Sequence, residues 1–116
     1  MAYLIDPEAR TVTEVERGSL DSLAPVYELL QCQDVEGLYL LNAKGDMLYV
    51  DEVGLYKPGN QRFFCRLYPT QVLVGRALWI GSNLREGAET PPRASLKYAC
   101  DHIVWVDADG SMVPPD

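Results

Sequence analysis

The stretch LYLLNAKGDMLYV, residues 38–50, places a four-residue turn sequence between two apolar runs. Asn42 at the first turn position and Gly45 at the fourth are the preferences of a type I turn that closes through a left-handed residue. The pattern therefore predicts a β-hairpin with arms at 38–42 and 46–50. It is the strongest structural signal in the sequence, and it indicates a fold built on a sheet.

A second turn near the end of the chain repeats this pattern. Residues 103–113, IVWVDADGSMV, align with residues 38–48 position by position. Asp107 and Asp109 could instead begin a calcium loop, but such a loop needs oxygen ligands over about 12 residues and a closing glutamate. Only Asp116 follows as a carboxylate. We therefore predict a chain reversal with Asp107 first and Gly110 fourth, whose return arm is cut short by Pro114 and Pro115.

Weaker patterns predict the secondary structure of most of the remaining chain. Residues 2–6 and 10–16 are predicted to form a hairpin across DPEAR, because proline favours turns and cannot donate to a strand ladder. Leucines at helical spacing predict a helix over about residues 22–32, with Pro25 in its first turn, where a missing N–H does no harm. The other predicted elements are strands at 62–68, 71–81 (with Gly75 as a bulge or close-approach point) and 102–106, and a short helix at 94–100.

Together these elements predict one α+β domain over residues 1–116. We expect a mostly antiparallel sheet of five to seven strands, with one main helix packed on one face. The polar stretch around NLREGAETPP carries glycine and proline, so residues 82–93 are predicted to form a mobile loop.

The charge and the composition limit the classes of partner that the protein can bind. The net charge is −7, and residues 1–60 hold 11 acidic and 4 basic side chains, whereas residues 61–116 hold 6 of each. The acidic half disfavours direct binding to nucleic acid or to an anionic membrane. No apolar run approaches the roughly 20 residues that span a bilayer. The start of the chain lacks the basic region of a signal peptide, and three scattered cysteines indicate reduced thiols, so we expect a cytoplasmic protein.

The sequence contains no motif for catalysis, metal binding or cofactor binding. Cys100 or Cys65 could pair with His102 as a nucleophile and base, but no nucleophile motif surrounds them. No CxxC pair supports zinc, and no glycine-rich phosphate loop occurs. We therefore predict no catalytic residues, no metal ligands and no cofactor.

Four charged residues are the candidate binding residues. Asp51 and Glu52 follow a predicted strand, and Arg62 and Arg66 alternate with aromatic residues in RFFCRLYP. Arginines beside aromatic rings can stack on bases, but strand alternation explains the same pattern as a core face and a surface face.

Three segments resemble a family of small proteins of unknown function that are widespread in bacteriophage and plasmid genomes. The matching segments are Asp6 and Pro7 with Thr11 to Glu16 (LIDPEARTVTEVE), Val50 to Leu55 (VDEVGL) and Leu73 to Gly81 (LVGRALWIG). The resemblance spans roughly residues 3–81 and leaves 82–116 uncovered. It implies an accessory protein of a mobile element and carries over no catalytic residue.

These observations favour a non-enzymatic accessory protein of a phage or other mobile element that binds a protein partner; they leave a homodimer open. One alternative is an acidic DNA mimic that inhibits a host nucleic-acid-binding or defence enzyme. Its carboxylates would be Asp6, Glu8, Glu14, Glu16, Asp21, Glu28, Asp34 and Glu36. A second alternative is a small hydrolase that uses Cys100 or Cys65 with His102.

Overall fold

A computed structural model describes residues 1–54, 57 and 59–113. Within these residues the chain forms ten strands and two helices. The strands are β1 (Ala2–Asp6), β2 (Thr11–Val15), β3 (Val35–Tyr39), β4 (Met47–Asp51), β5 (Arg62–Cys65), β6 (Leu73–Val74), β7 (Ala77–Asn83), β8 (Ala88–Thr90), β9 (Ile103–Val106) and β10 (Met112–Val113). The helices are α1 (Ala24–Leu30) and α2 (Leu96–Asp101). Leu55 of the VDEVGL segment, and Pro114 and Pro115 after the second turn, lie outside the described residues.

The strands form two sheets instead of the single sheet that the sequence predicted. The larger sheet has the order β2-β1-β7-β4-β3, and β8 pairs with the far end of β7. The smaller sheet has the order β10-β9-β5-β6. The strand pairs of both sheets are antiparallel. The mostly antiparallel α+β character is therefore confirmed.

The second sheet arises where the predicted strand 71–81 divides. β6 belongs to the smaller sheet and β7 to the larger, and Gly75 lies between them with φ +83°. Glycine adopts this left-handed conformation without the steric cost that a Cβ atom would add. Its N–H donates to the carbonyl oxygen of Gln61 at 2.8 Å, which ties the crossing point to the start of β5. Gly75 is thus the position where the chain changes sheets.

β7 is the middle strand of the larger sheet, and both of its faces are buried. Ala77 and Trp79 belong to a core cluster that also contains side chains of the smaller sheet, including Phe63. Leu78 and Ile80 point the other way and belong to a second cluster with α1. The continuous apolar run ALWI is typical of a strand that is covered on both sides.

α1 is shorter than predicted at both ends, but Pro25 lies in its first turn as predicted. It runs from Ala24 to Leu30, with Pro25 in its first turn, and Gln31 ends it in a left-handed conformation (φ 54°). Val26 and Leu30 are its buried residues, and they belong to the cluster that contains Leu78 and Ile80. Among the described residues, no helix is long and apolar enough to cross a membrane.

Both predicted turns reverse the chain between paired strands. In the second, the N–H of Gly110 donates to the carbonyl of Asp107 at 2.9 Å, as predicted. In the first, the loop is wider than predicted, because the hydrogen-bonded turn begins at Ala43, whose carbonyl accepts from the N–H of Asp46 at 3.0 Å. Asn42 lies ahead of this turn with φ 53°.

The stretch 82–93 contributes to the larger sheet. β8 lies within this stretch and pairs with β7. Glu89 of β8 forms an ion pair with Arg17, in which Oε2 lies 2.5 Å from Nε. Both side chains are largely buried, and the second Glu89 oxygen accepts from the Tyr49 hydroxyl at 3.2 Å. A buried charge pair of this kind requires such hydrogen bonds to offset the loss of hydration. The 82–93 stretch thus joins the segment after β2 to the sheet.

Asp46 is a fully buried carboxylate at the start of β4. One oxygen accepts from Trp79 Nε1 at 2.8 Å and from the N–H of Ala94 at 3.0 Å. The other oxygen accepts from the N–H of Arg93 at 2.8 Å. A buried carboxylate is tolerated where donors replace its hydration, as these three N–H groups do. Asp46 therefore connects the β3–β4 loop, the central strand and the segment before α2.

We expect Asp46→Ala to lower the free energy of unfolding by about 3 kcal/mol, because it leaves the buried indole N–H of Trp79 and two partly buried backbone N–H groups without an acceptor. Urea unfolding followed by Trp fluorescence measures this loss. Asp101→Ala is the matched control: it removes an exposed ion pair with Lys97 and should cost less than about 1 kcal/mol. Equal losses in the two variants would contradict the role assigned to Asp46.

Candidate functional site

The four candidate binding residues lie on two different sheets. Asp51 ends β4, and its carboxylate is held by Lys57 Nζ at 2.5 Å and by the N–H of Val53 at 3.0 Å. Glu52 follows it, is exposed, and donates its N–H to the carbonyl of Asp34 at 3.1 Å. Asp51 is thus in an ion pair, whereas Glu52, which follows the end of β4, has an exposed side chain.

Arg62 and Arg66 belong to the smaller sheet. Arg62 begins β5 opposite Val106 and Val74, and Arg66 follows the strand, with its N–H donating to the carbonyl of His102 at 2.8 Å. Both arginine side chains are exposed, whereas Phe63 and Cys65 are buried. The alternation therefore produces a core face and a surface face, and the structure does not bring the arginines together with Asp51 and Glu52 in one cavity.

The cavity beside Asp51 is small, and two of its carboxylates are in ion pairs. It measures about 80 Å³ and also contains Asp6, whose carboxylate lies 3.6 Å from Arg76 Nη2. Arg76 further donates to the carbonyl of Leu29 at 3.2 Å. Pockets for drug-sized ligands measure about 300–1,000 Å³. We assign these two ion pairs to holding α1 and the neighbouring loops in place.

The cysteines are poor nucleophiles in this fold. Cys65 is buried, and burial raises its pKa to about 11. Burial is also the main cause of the raised pKa of Cys32 and Cys100. A raised pKa lowers the population of thiolate, which is the reactive form.

His102 interacts with Tyr98 of α2. It caps the C-terminus of α2, and its Nδ1 lies 2.7 Å from the carbonyl oxygen of Tyr98. Its ring also stacks on the Tyr98 ring with centroids 4.1 Å apart. Cys100 lies within α2, and His102 is the residue that ends this helix.

The carboxylates of the second turn stabilise the turn itself. Asp109 accepts from the N–H of Ser111 at 2.9 Å, and this hydrogen bond lowers the pKa of Asp109. Asp107 pairs with Arg10. Within the described ranges, no group of three or more metal-ligating side chains is assembled.

The edge of the larger sheet formed by β3 is an accessible surface. The N–H of Leu40 donates to the carbonyl of Asp46, and the N–H of Glu52 donates to the carbonyl of Asp34. In this register, the even-numbered residues of β3 point their backbone N–H and C=O groups toward β4. By alternation, Val35, Gly37 and Tyr39 direct their N–H and C=O groups outward. No described residue pairs with them. We call these three residues the β3 edge.

Large apolar side chains flank one end of the β3 edge. Tyr39 is 58% exposed, and Leu41, just beyond the strand, is 57% exposed. The opposite edge of the same sheet differs, because β2 exposes Thr11, Thr13 and Glu14. Polar side chains protect sheet edges from pairing with other chains, whereas exposed apolar side chains favour it.

Carboxylates flank the other end. Asp34, Glu36 and Glu52 are exposed and take part in no ion pair with a described residue. Asp34 and Glu52 are joined by a backbone hydrogen bond across the ladder. Like charges in opposing positions destabilise a sheet, so this end of the β3 edge gains from an added cation.

Searches of known protein families, curated proteins and solved structures found no match to this chain.

Sequence reasoning found Glu52 but missed the rest of this surface. The hairpin prediction includes Tyr39 and Leu41 in one arm, and the acidic-mimic alternative includes Asp34 and Glu36. The hairpin register could have shown which β3 residues face away from β4. The sequence contains no signal that β3 would lie at an edge.

The thiol assignment makes a direct prediction. Iodoacetamide at pH 8 should leave Cys65 of the folded protein unlabelled, because only about one such thiol in a thousand is ionised and the side chain is buried. Mass spectrometry of the digested protein identifies the labelled cysteine, and protein unfolded in urea supplies the control in which Cys65 reacts. Rapid labelling of native Cys65 would revive the hydrolase alternative.

The raised pKa of Cys65 makes the free energy of unfolding depend on pH. The unfolded thiol ionises near 9.0, whereas the native Cys65 thiol keeps its proton until about 11. The unfolded state therefore loses its proton first, and the Cys65 contribution to the free energy of unfolding falls as the pH rises through this window.

Proposed function

We propose that the protein is a non-enzymatic accessory protein that binds a protein partner by strand addition along the β3 edge. The observation that carries this proposal is the row of outward N–H and C=O groups on Val35, Gly37 and Tyr39, which lies beside exposed apolar side chains. In strand addition, main-chain hydrogen bonds supply affinity, and side chains on alternate positions supply specificity.

The side chains around the β3 edge define the partner's chemistry. Val35 and Tyr39 point to the α1 side of the sheet, and Asp34 and Glu36 point to the other side. An added strand meets apolar groups on one side and carboxylates on the other. We therefore propose an extended partner segment in which apolar residues alternate with lysine or arginine.

A second copy of this chain fits the β3 edge less well. Antiparallel pairing of two β3 strands about Gly37 would set the acidic end of each strand beside the apolar end of the other. Asp34 and Glu36 would then remain without cations. Charge complementarity favours a basic partner segment over a second copy of the chain.

The acidic-mimic alternative has weaker support. Glu14 lies on β2 and Glu36 on β3, which are the two opposite edges of the larger sheet. Asp6 is occupied by Arg76 and by the N–H groups of Glu8 and Ala9. A phosphate-like stripe requires carboxylates at regular spacing on one surface, and this arrangement spreads them over several.

The mobile-element origin and the cytoplasmic location remain part of the proposal. They come from the sequence resemblance and from the composition.

The proposal predicts binding of a peptide that alternates lysine and valine over eight residues. The outward N–H groups of Val35, Gly37 and Tyr39 should gain protection from hydrogen exchange, and their resonances should shift in NMR titrations. A peptide of the same composition with its lysines and valines in two blocks should not protect these groups, because it cannot place lysine on one side of a strand and valine on the other.

A matched pair of variants tests the location. Glu36→Lys should weaken binding of the alternating peptide by about tenfold, through the loss of one attraction and the gain of one repulsion. Glu14→Lys makes the same charge change on the opposite edge strand and should leave the affinity within about twofold. Equal effects of the two variants, or binding without protection of the three outward N–H groups, would overturn strand addition at β3.

A further inference from the structure

We propose that the cleft between the β3–β4 loop and the start of α2 binds a phosphate monoester. The cleft has a volume of about 300 Å³, which lies at the lower end of the range of small-molecule sites. Its lining includes Lys44 and Arg93 but no acidic side chain. This site is separate from the β3 edge and from the ion-paired cavity beside Asp51.

Two cations converge on this cleft in a protein with a net charge of −7. Lys44 comes from the β3–β4 loop, and Arg93 comes from the segment that precedes α2. Both side chains are exposed, and neither forms an ion pair with any described residue. Arginine offers two parallel N–H donors that match phosphate oxygens, and lysine adds a compact positive charge.

The fold fixes the two cation-bearing segments relative to each other. Asp46 accepts from the N–H of Arg93 and belongs to the same loop as Lys44. The loop shape is set locally, because Lys44 and Gly45 both have left-handed backbone angles (φ 56° and 99°). The backbone positions that bear the two cations are therefore fixed before a ligand arrives, which reduces the entropy cost of binding.

The buried Asp46 charge does not cancel the two cations. Its carboxylate is fully buried and accepts from three N–H groups, so it exposes no oxygen to the cleft. The two surface cations outnumber it. An anion in the cleft meets a net positive charge at close range.

The organic part of the ligand has an aromatic surface to contact. Tyr98 lines the same cleft and is 40% exposed. The His102 ring lies against the Tyr98 ring, with the ring centroids 4.1 Å apart. Asn42 adds an amide at the rim. We expect an aryl phosphate to bind more tightly than inorganic phosphate, because an aromatic group can pack on Tyr98.

Titration of the full chain with phenyl phosphate, followed by NMR, tests this site. The amide resonances of Asn42, Lys44, Arg93 and Ala94 should shift together and saturate, and inorganic phosphate should produce the same pattern at about tenfold higher concentration. Phenol, which lacks the phosphate, should not shift them at matched concentration. Absence of saturable shifts with phenyl phosphate would overturn the proposal.

Matched variants distinguish binding in the cleft from a general attraction of the phosphate to positively charged side chains. Arg93→Gln and Lys44→Asn should each weaken phenyl phosphate binding by about tenfold, and asparagine tolerates the left-handed backbone at position 44. Arg85→Gln removes an exposed arginine that is outside the cleft and should leave the affinity unchanged. If Arg85→Gln weakens binding as much as Arg93→Gln, the cleft is not the site. Circular dichroism confirms that each variant is folded.

Discussion

The buried carboxylate of Asp46 holds together parts of the chain that are far apart in sequence. It receives the indole N–H of Trp79 on the central strand and the N–H groups of Arg93 and Ala94 before α2. A charge in this position is costly unless every lone pair that lost water finds a donor. The three donors meet this requirement only when the β3–β4 loop, β7 and the segment after β8 have all reached their final positions.

Local turn chemistry could be predicted from the sequence, and strand order could not. The chain reversal between β3 and β4, the turn at residues 107–110, the hairpin across DPEAR and the position of Pro25 all depend on residues close together in the chain. Whether β3 would lie at an edge depends instead on β1 and β4 both pairing with β7. These pairings join distant segments, and no local pattern records them.

Two residues show why the remaining features were missed. Gly75 could mark a bulge or a change of sheet, and the letters LVGRALWI fit both until the partners of β6 and β7 are known. Asp46 follows Gly45 and resembles a solvated turn residue, yet its role is set by Trp79, 33 residues later. Of the candidate site residues, Glu52 lies beside the β3 edge, while Asp51, its neighbour, points away to Lys57.

The pairing of β1 with β7 has a consequence for synthesis of the chain. β1 contains Tyr3 and Ile5, which are buried in the core between the sheets, and its partner β7 begins only at Ala77. While the ribosome makes the intervening residues, the β1–β2 hairpin has an unfilled edge and uncovered apolar side chains. A lone two-stranded hairpin is marginally stable in water, so this first hairpin becomes durable only after β7 has emerged and paired with it.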